Sequence, residues 1–184
     1  MATYETARQI LGEVDRVLSR VDDAEIQALC DAILTARAVV VHGLGREGLV
    51  MRGFAMRLMH LGLSSAAVGD VTAPPVGSGD LFLACNGPGQ LATVRALMDA
   101  ARRSGCRVAL LTAQPQAPLS GAADLVVCLP AQTMAEAEGS RSFQAMGSAF
   151  EQALWILLDA IVPRLQASLG QSADDLRRRH TNLE

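Results

Sequence analysis

The chain has 184 residues, a formal net charge of −3 and an apolar content of 50%, of which little is aromatic. This length fits one core of ordinary size rather than two, and the charge balance gives no electrostatic reason to expect nucleic acid as a partner. No apolar run approaches the roughly 20 residues that cross a bilayer and no signal peptide is visible, so we expect a cytoplasmic protein with no membrane partner.

Two helices, a strand and a third helix are predicted for the first part of the chain. Apolar residues recur at helical spacing over residues 5–21, and a second helix is expected to begin at Asp22 or Asp23, either of which can cap it. A strand is predicted over residues 37–42, where the β-branched run Val39-Val40-Val41 is typical of a buried strand. This strand leads through a glycine-rich turn into a helix of about residues 47–61.

Strands and helices alternate through the middle of the chain. Residues 86–89 are expected to open a helix that Gly105 closes, and residues 118–122 are expected to form a short helix. Crossover helices imply parallel strands in right-handed βαβ units, so the sequence predicts a three-layer α/β fold with both faces of the sheet covered. Four further strands are predicted at residues 65–69, 81–85, 107–112 and 124–129.

The last part of the chain predicts a loop and one long helix. Residues 130–146 are rich in small and polar types, and long loops in compact domains are often functional. The helix predicted over about residues 147–168 has apolar residues on most of its circumference. We therefore expect it to be buried nearly all round and to contact another subunit.

The first candidate site is the turn after the first predicted strand, which reads Gly43-Leu-Gly45-Arg-Glu-Gly48. Glycines let the backbone approach an anion closely, and the following helix presents free N–H groups and the positive end of its dipole. The spacing also matches the fingerprint of dinucleotide-binding folds, with Asp70 as the ribose-binding acid. Glu47, however, puts a carboxylate where an anion is expected to bind.

A second turn of the same kind, Asn86-Gly87-Pro88-Gly89-Gln90, also follows a buried strand and precedes a helix. In a parallel sheet both turns emerge at the carboxyl edge, where ligands of open α/β sheets bind. Two such turns on one edge suit a small, compact anionic ligand. The alternative is that both are tight strand-to-helix connections without a ligand.

Four other segments carry a family likeness, at residues 54–62, 79–81, 142–152 and 179–184. Together with the two turns they resemble the 6-phospho-3-hexuloisomerases of the sugar isomerase (SIS) domain superfamily. The resemblance spans nearly all of residues 1–184 and implies a single SIS domain with N-terminal helices and a C-terminal helical tail. It also implies a flavodoxin-like, five-stranded parallel sheet and a homotetramer with no metal or cofactor.

The implied reaction interconverts a 3-ketohexose 6-phosphate and fructose 6-phosphate by moving a proton between neighbouring carbons through an enediol. Glu151 matches the family's proposed base, and its helix neighbours predict largely apolar surroundings that favour a proton-accepting carboxylate. The alternative is a carboxylate placed at a helix start by the dipole. His60 matches a family histidine implicated in ring opening or proton shuttling, within or across a subunit boundary; a structural role is its alternative.

The resemblance also exposes differences at both turns. Family members carry serine at the position of Glu47 and Ser-Gly-Ser-Gly-Glu-Thr at the second turn, where hydroxyl groups hold the substrate phosphate. This chain lacks those hydroxyls, and Pro88 removes a backbone donor. The residues assigned to substrate binding are Gly43, Gly45, Arg46, Glu47, Gly48, Asn86, Gly87, Gly89 and Gln90.

Glu47 decides how the function is interpreted. A carboxylate in the first turn of a helix can accept the N–H groups that a phosphate uses, with a gain of roughly 0.3 to 1 kcal/mol, so affinity for a phosphosugar is expected to fall. We therefore predict a sugar-phosphate isomerase in which Arg46 and backbone amides of the second turn take a larger share of the phosphate. The alternatives are a non-catalytic or regulatory SIS domain that binds a sugar derivative, and an isomerase of an unphosphorylated sugar.

Overall fold

The computed structural model describes residues 2–136 and 142–183, in which a five-stranded parallel sheet lies between two layers of helices. The strands are β1 (Val39–His42), β2 (Ser65–Ala67), β3 (Leu81–Cys85), β4 (Arg107–Thr112) and β5 (Leu125–Cys128). A short 3-10 helix spans Ser120–Ala122. The α-helices are α1 (Thr3–Leu18), α2 (Asp23–Thr35), α3 (Gly45–His60), α4 (Ala92–Arg103), α5 (Ser148–Ser168) and α6 (Ala173–Arg179).

The strands follow the order β2-β1-β3-β4-β5, and every neighbouring pair is parallel. In the centre of the sheet, Leu83 lies opposite Val41 on one side and Ala109 on the other. The chain runs outward from β1 to β2 and then returns to place β3 on the other side of β1. The turns that leave β1 and β3 are therefore neighbours at the point where the strand order reverses, the usual ligand site of open α/β sheets.

Alternate side chains of the strands face the two helical layers, because successive residues of a strand point to opposite faces. Val39 and Val41 belong to the core beneath α1, α2, α3 and α5, whereas Val40 and Phe82 belong to the core beneath α4 and the 3-10 helix. Both β1 and β3 are buried along their whole length. The predicted three-layer α/β fold with a five-stranded parallel sheet is thus confirmed.

Two helix starts differ from the sequence prediction. Helix α3 begins at Gly45, two residues earlier than expected, with Leu44 in an extended conformation as its N-cap. Helix α4 begins only at Ala92 rather than directly after the second turn. The cause is Asn86, whose side chain accepts hydrogen bonds from the backbone at positions 90 and 91 and keeps this segment in a turn.

Helix α5 buries only one side within its own chain, and the contact with another subunit that was expected to cover the rest stays a prediction. Residues such as Phe150, Leu154 and Ile161 lie in the core, whereas Trp155 and Ile156 are exposed. The exposed residues recur at helical spacing, because α5 packs its inner side against α1, α2 and α3.

The C-terminal helical tail is present as α6, a short helix with no buried residue that begins with a Ser172–Asp175 capping box. The predicted loop over residues 130–146 is described on both sides of residues 137–141, which lie outside the described residues. Among the described residues, no single helix is long and apolar enough to span a membrane. Helices α5 and α6 meet that criterion only when taken together, and a bend of 111° separates them.

Candidate active site

The turn after β1 brings the strand and α3 into direct backbone contact. A Cβ added at Gly48 would lie 2.6 Å from the carbonyl oxygen of Gly43. Gly45 has a φ of +56°, in the left-handed region that favours glycine. These three glycines therefore set the path of the turn, and the start of α3 lies at the carboxyl edge of the sheet.

The turn after β3 uses its own backbone amides inside the protein. Oδ1 of Asn86, a residue only 1% exposed, accepts the N–H of Gln90 at 3.0 Å and of Leu91 at 3.3 Å. The N–H of Gly89 donates to the backbone carbonyl of Asn86 at 3.0 Å. Pro88 has no N–H, and the amides of Gly89, Gln90 and Leu91 are engaged within the turn. The larger share of a phosphate expected for this turn stays a prediction.

Glu47 connects the two turns. The N–H of Gly87 donates to its Oε1 at 3.0 Å, and the thiol of Cys85 donates to the same carboxylate. Burial raises the pKa of Glu47 above its ordinary value against the opposing effect of these two hydrogen bonds, and the charge of Glu151 raises it further. The sequence predicted that Glu47 accepts an N–H group available to a phosphate; the structure supplies that group from the second turn, not from its own helix.

Glu151 extends from the first turn of α5 and forms an ion pair with Arg46. Nε of Arg46 donates to Oε2 of Glu151, and the side chains are 64% and 17% exposed, respectively. The predicted apolar surroundings are found behind Glu151, where Phe150 and Leu154 are buried. In front, the carboxylate faces a guanidinium and a second carboxylate, which the helix pattern did not predict.

A cavity of about 420 Å³ lies between the two turns and the start of α5. Its size is within the range of sites that enclose small ligands. Of the residues predicted from sequence, Glu151, Gly45, Arg46, Glu47 and Asn86 line it, whereas the other glycines and Gln90 shape the turns without lining it. The remaining wall is mostly apolar and consists of Leu44, Pro88, Leu91, Thr133, Met134, Ala145, Met146, Gly147, Ser148 and Phe150.

One wall of the cavity comes from the segment that leads into α5, where the sequence had predicted only a loop. Met146 has a φ of +56°, an uncommon value for a residue with a side chain. Gly147 is the N-cap of α5 without a side-chain cap, and the hydroxyl of Ser148 donates to the carbonyl of Ala145 at 2.9 Å. The Gly-Ser pair ahead of an apolar run was a helix-start signal that could have identified this wall.

A buried carboxylate on α1 holds this wall in place. Glu13, 7% exposed, accepts hydrogen bonds from the Ser142 hydroxyl at 2.6 Å, the Gln144 side chain at 2.9 Å and the N–H of Phe143 at 3.1 Å. The N–H of Ser142 also donates to Oε1 of Gln132 at 2.9 Å. Sequence analysis missed Glu13, because its partners lie about 130 residues away and helical spacing carries no signal of them.

His60 lies at the opposite end of α3, roughly 22 Å along the helix axis from Gly45 at 1.5 Å per residue. It is buried, and its ring stacks on His180 with centroids 5.1 Å apart. Nη1 of Arg179 donates to the His60 carbonyl at 3.0 Å and fixes the tail against this helix end. The structure therefore does not bring His60 to the Glu151 cavity of its own chain.

Asp70 is used inside the protein. Arg52 donates to its carboxylate, and so does the N–H of Ala67 at 3.2 Å. The Arg52 hydrogen bond is the main cause of the lowered pKa of Asp70. The acid that a dinucleotide site needs for a ribose hydroxyl is thus engaged with an arginine.

Residues 32–156 match the family model described as the SIS domain. The chain belongs to the SIS domain family. The match begins within α2, includes all five strands and both turns, and ends within α5, so Glu47 and Glu151 lie inside it. SIS membership replaces the dinucleotide-binding interpretation of the first turn.

Relatives of this SIS protein include two proteins named 3-hexulose-6-phosphate isomerase. The protein of Mycobacterium gastri is 38% identical over 172 residues, which cover 94% of this chain and 86% of that protein. The protein of Bacillus subtilis is 33% identical over 185 residues and is covered, like this chain, over its full length. A crystal structure from Methanococcus jannaschii, for which the same molecular function has been inferred, is 26% identical with a TM-score of 0.84 and covers 98% of this chain and 99% of that one.

Proposed function

We propose that this protein is a sugar-phosphate isomerase that interconverts a 3-ketohexose 6-phosphate and fructose 6-phosphate. Relatives named 3-hexulose-6-phosphate isomerase align over 94% and 100% of the chain, which favours an enzyme over a non-catalytic sugar-binding domain. The observation that carries the proposal is the position of Glu151, a shielded carboxylate in the wall of the cavity between the two turns.

This isomerisation needs a group that removes a proton from one carbon and returns it to the next. The Glu151 carboxylate takes the proton from C2, and the electrons of the broken bond form the double bond of a 2,3-enediol. The same carboxyl group then returns its proton to C3. Arg46 compensates the charge of Glu151 and fixes its direction, so the carboxylate is oriented before substrate binds.

The phosphate of the substrate is held differently from the serine-rich pattern of the family. The residues that line the cavity include Arg46, whose guanidinium is exposed, and Asn86, whose side chain carries an amide donor. Nδ2 of Asn86 is buried and has no hydrogen-bond partner among the described residues. A buried donor of this kind gains by pairing with a phosphate oxygen. The amides of the second turn are already hydrogen-bonded inside the protein, so they contribute the shape of the turn.

Replacement of Glu151 tests this function. The purified protein should convert 3-hexulose 6-phosphate into fructose 6-phosphate, measured in a coupled assay. Glu151→Gln keeps the size of the side chain and removes the base, so kcat should fall about 100-fold or more. Asp159→Asn, which removes an exposed carboxylate about two turns further along α5, should keep the kcat of the unchanged protein.

The outcomes are distinct. Full turnover by Glu151→Gln would eliminate the proposed base while leaving the function in place. No turnover of any 3-ketohexose 6-phosphate by the unchanged protein would eliminate the function itself.

We extend the proposal to a single SIS domain that assembles as a homotetramer in the cytoplasm. The packing of α1 against α5 and of α6 against α3 supports one domain that includes both ends of the chain. Exposed apolar side chains on α3 and α5 and the distance between His60 and the cavity of its own chain support an assembly in which neighbouring chains complete the surface.

A further inference from the structure

Two carboxylates line the same cavity, but their immediate partners differ. Glu151 is paired with the guanidinium of Arg46, which compensates its charge. Glu47 receives hydrogen bonds from the N–H of Gly87 and the thiol of Cys85, both of which are neutral groups. Carboxylates placed close together with unequal support tend to share one charge, so that one group is ionised and the other keeps its proton.

The groups around Glu47 add to this difference between the surroundings of the two carboxylates. Among the described residues, the titratable groups that face it are Cys85 from β3 and Glu151 from α5, while Arg46 from its own helix is paired with Glu151. Burial raises the pKa of the Cys85 thiol well above its ordinary value, so the thiol remains a neutral donor. Burial, opposed by its two hydrogen bonds and reinforced by Glu151, likewise raises the pKa of Glu47.

The isomerisation needs more than a base at carbon. When a proton leaves C2, negative charge develops on the oxygen of C3, and a proton must reach that oxygen as one leaves the oxygen of C2. A second carboxyl group in the same cavity, protonated when the base is ionised, has the chemistry for this transfer. Glu47 also stands where the family carries serine, whose hydroxyl cannot serve as an acid of comparable strength.

We propose that Glu47 is a second catalytic residue, the general acid that moves protons on oxygen while Glu151 moves the proton on carbon. This inference rests on the proposed isomerase function. It assigns the unusual residue of the first turn to the chemistry of the reaction rather than to a damaged phosphate site.

The proton balance closes over the two half-reactions. In the first, Glu151 takes the proton of C2, the C2–H electrons form the C2–C3 double bond, and the C3 carbonyl electrons move to oxygen, which takes the proton of Glu47. In the second, Glu47 takes the proton of the C2 hydroxyl as the C2 carbonyl forms, and the double-bond electrons take the proton of Glu151 at C3. Both residues finish in their starting protonation states, and no other reactant is required.

Glu47→Gln tests this role with little change of shape. The amide oxygen still accepts the N–H of Gly87, so the connection between the turns is kept, whereas no acidic proton remains. We expect kcat to fall about 100-fold and KM to stay close to its original value. We also expect the alkaline fall of the pH profile to disappear, because activity that depends on a protonated acid is lost as pH rises through the pKa of that acid.

Two further variants make the test specific. Glu47→Asp keeps a carboxyl group and should recover part of kcat. Glu47→Ser restores the family residue and frees the Gly87 N–H for phosphate, so it should lower KM while kcat stays low. Asp31→Asn, an exposed carboxylate on α2, serves as the control for loss of one negative charge.

The inference and the proposed function fail in different ways. If the unchanged protein isomerises the phosphosugar but Glu47→Gln keeps both its kcat and its pH profile, Glu47 only connects the turns and the acid role is overturned. If the unchanged protein has no activity, the proposed function fails instead. A separate measurement on the free enzyme is the titration of the Glu47 carboxyl carbon by NMR. The pKa of Glu47 should lie above the ordinary value of 4.5 and should fall in Glu151→Gln. Titration of Glu47 at 4.5 in both proteins would also overturn the acid role.

Discussion

At the scale of single residues, Glu13 shows how a buried carboxylate can be stabilised chiefly by hydrogen bonds. Three donors from residues 142–144 surround its carboxylate. Burial alone raises the pKa of Glu13, but the hydrogen bonds from residues 142–144, together with the charge of Arg16, outweigh it and hold the pKa below the ordinary value. The ionised form is therefore bound more favourably in the folded protein than in the unfolded chain.

Replacement of Glu13 should change both stability and its dependence on pH. In Glu13→Gln an amide must replace carboxylate oxygens that accept three donors, so we expect a loss of about 1 to 3 kcal/mol at pH 7, seen as a lower Tm. Since the folded pKa is lowered, this stabilisation is present above the unfolded pKa and is lost as pH falls through the folded pKa. The Tm difference from the unchanged protein should therefore shrink below pH 4.5.

The exposed Asp15 of the same helix provides the control, since Asp15→Asn should leave Tm within about 1 °C. A Tm difference for Glu13→Gln that is constant from pH 7 to pH 3 would show that the carboxylate charge has no part in holding the wall.

Sequence reasoning at this scale succeeded where the signal was local. It predicted from the position of Glu47 in the first turn of a helix that this carboxylate accepts an N–H group, whereas the role of Glu151 was implied by the family resemblance. It did not predict the Arg46–Glu151 ion pair or the contact of Glu47 with Gly87, whose partners lie 105 and 40 positions apart. Such pairs depend on how the elements pack, and one sequence holds no record of that packing.

At the scale of elements, the contact between β1 and α3 depends on two facing glycines. Gly48 approaches the backbone of Gly43 so closely that a Cβ would need to lie 2.6 Å from a carbonyl oxygen. A backbone atom cannot rotate away as a flexible side chain can. The start of α3, and with it Arg46 and Glu47, is therefore placed by this contact.

Gly48→Ala should push α3 away from the strand. Overpacking of this kind costs about 1 to 3 kcal/mol, and each kcal/mol corresponds to roughly 2 to 4 °C in Tm for a chain of this size. We expect a lower Tm in thermal unfolding and reduced kcat, because both charged residues of the turn move. Gly12→Ala is the matched control, since its Cβ meets nothing closer than 3.7 Å and alanine favours the interior of α1. Equal Tm values for the two variants would contradict the close-contact explanation.

The elements themselves were largely readable from sequence, whereas their ends were not. The apolar run of β3 needed no tertiary information, because a strand covered on both faces is apolar throughout. The glycine spacing predicted that α4 begins directly after the second turn. The prediction was too early, because the Asn86 side chain keeps the residues before Ala92 in a turn. The apolar outer side of α5, with Trp155 exposed, was expected to meet another subunit, and that expectation stays a prediction.

At the scale of the whole molecule, an apolar stripe of Leu49, Met56 and Trp155 runs over α3 and α5. All three side chains are exposed, and the Trp155 ring lies 3.0 Å from the position of a Cβ at Gly53. Exposed apolar side chains that lie together are typical of subunit contacts. The parallel sheet and the position of both turns at its carboxyl edge followed from the alternation of strands and helices, but that alternation does not indicate how chains assemble.

A charge placed in the stripe tests the proposed assembly. The unchanged protein should have the mass of four chains in light scattering after size exclusion. Trp155→Glu should give smaller species with the same circular dichroism spectrum, because a carboxylate resists burial in an apolar contact. Val71→Glu, at a fully exposed loop position, is the control and should keep the original mass. A Trp155→Glu protein that elutes unchanged would place the subunit contact elsewhere.

The link between Glu13 and residues 142–144 has a practical consequence for anyone shortening this protein. The family match starts at residue 32, and a fragment trimmed to that boundary looks complete on an alignment. It would nevertheless lack α1 and most of α2, and it would leave Ser142, Phe143 and Gln144 without the acceptor that holds them. We expect a shortened enzyme of this kind to lose the wall of its substrate cavity before it loses its sheet. Inactivity of such a fragment would then report the loss of the support from Glu13, not the loss of a catalytic residue.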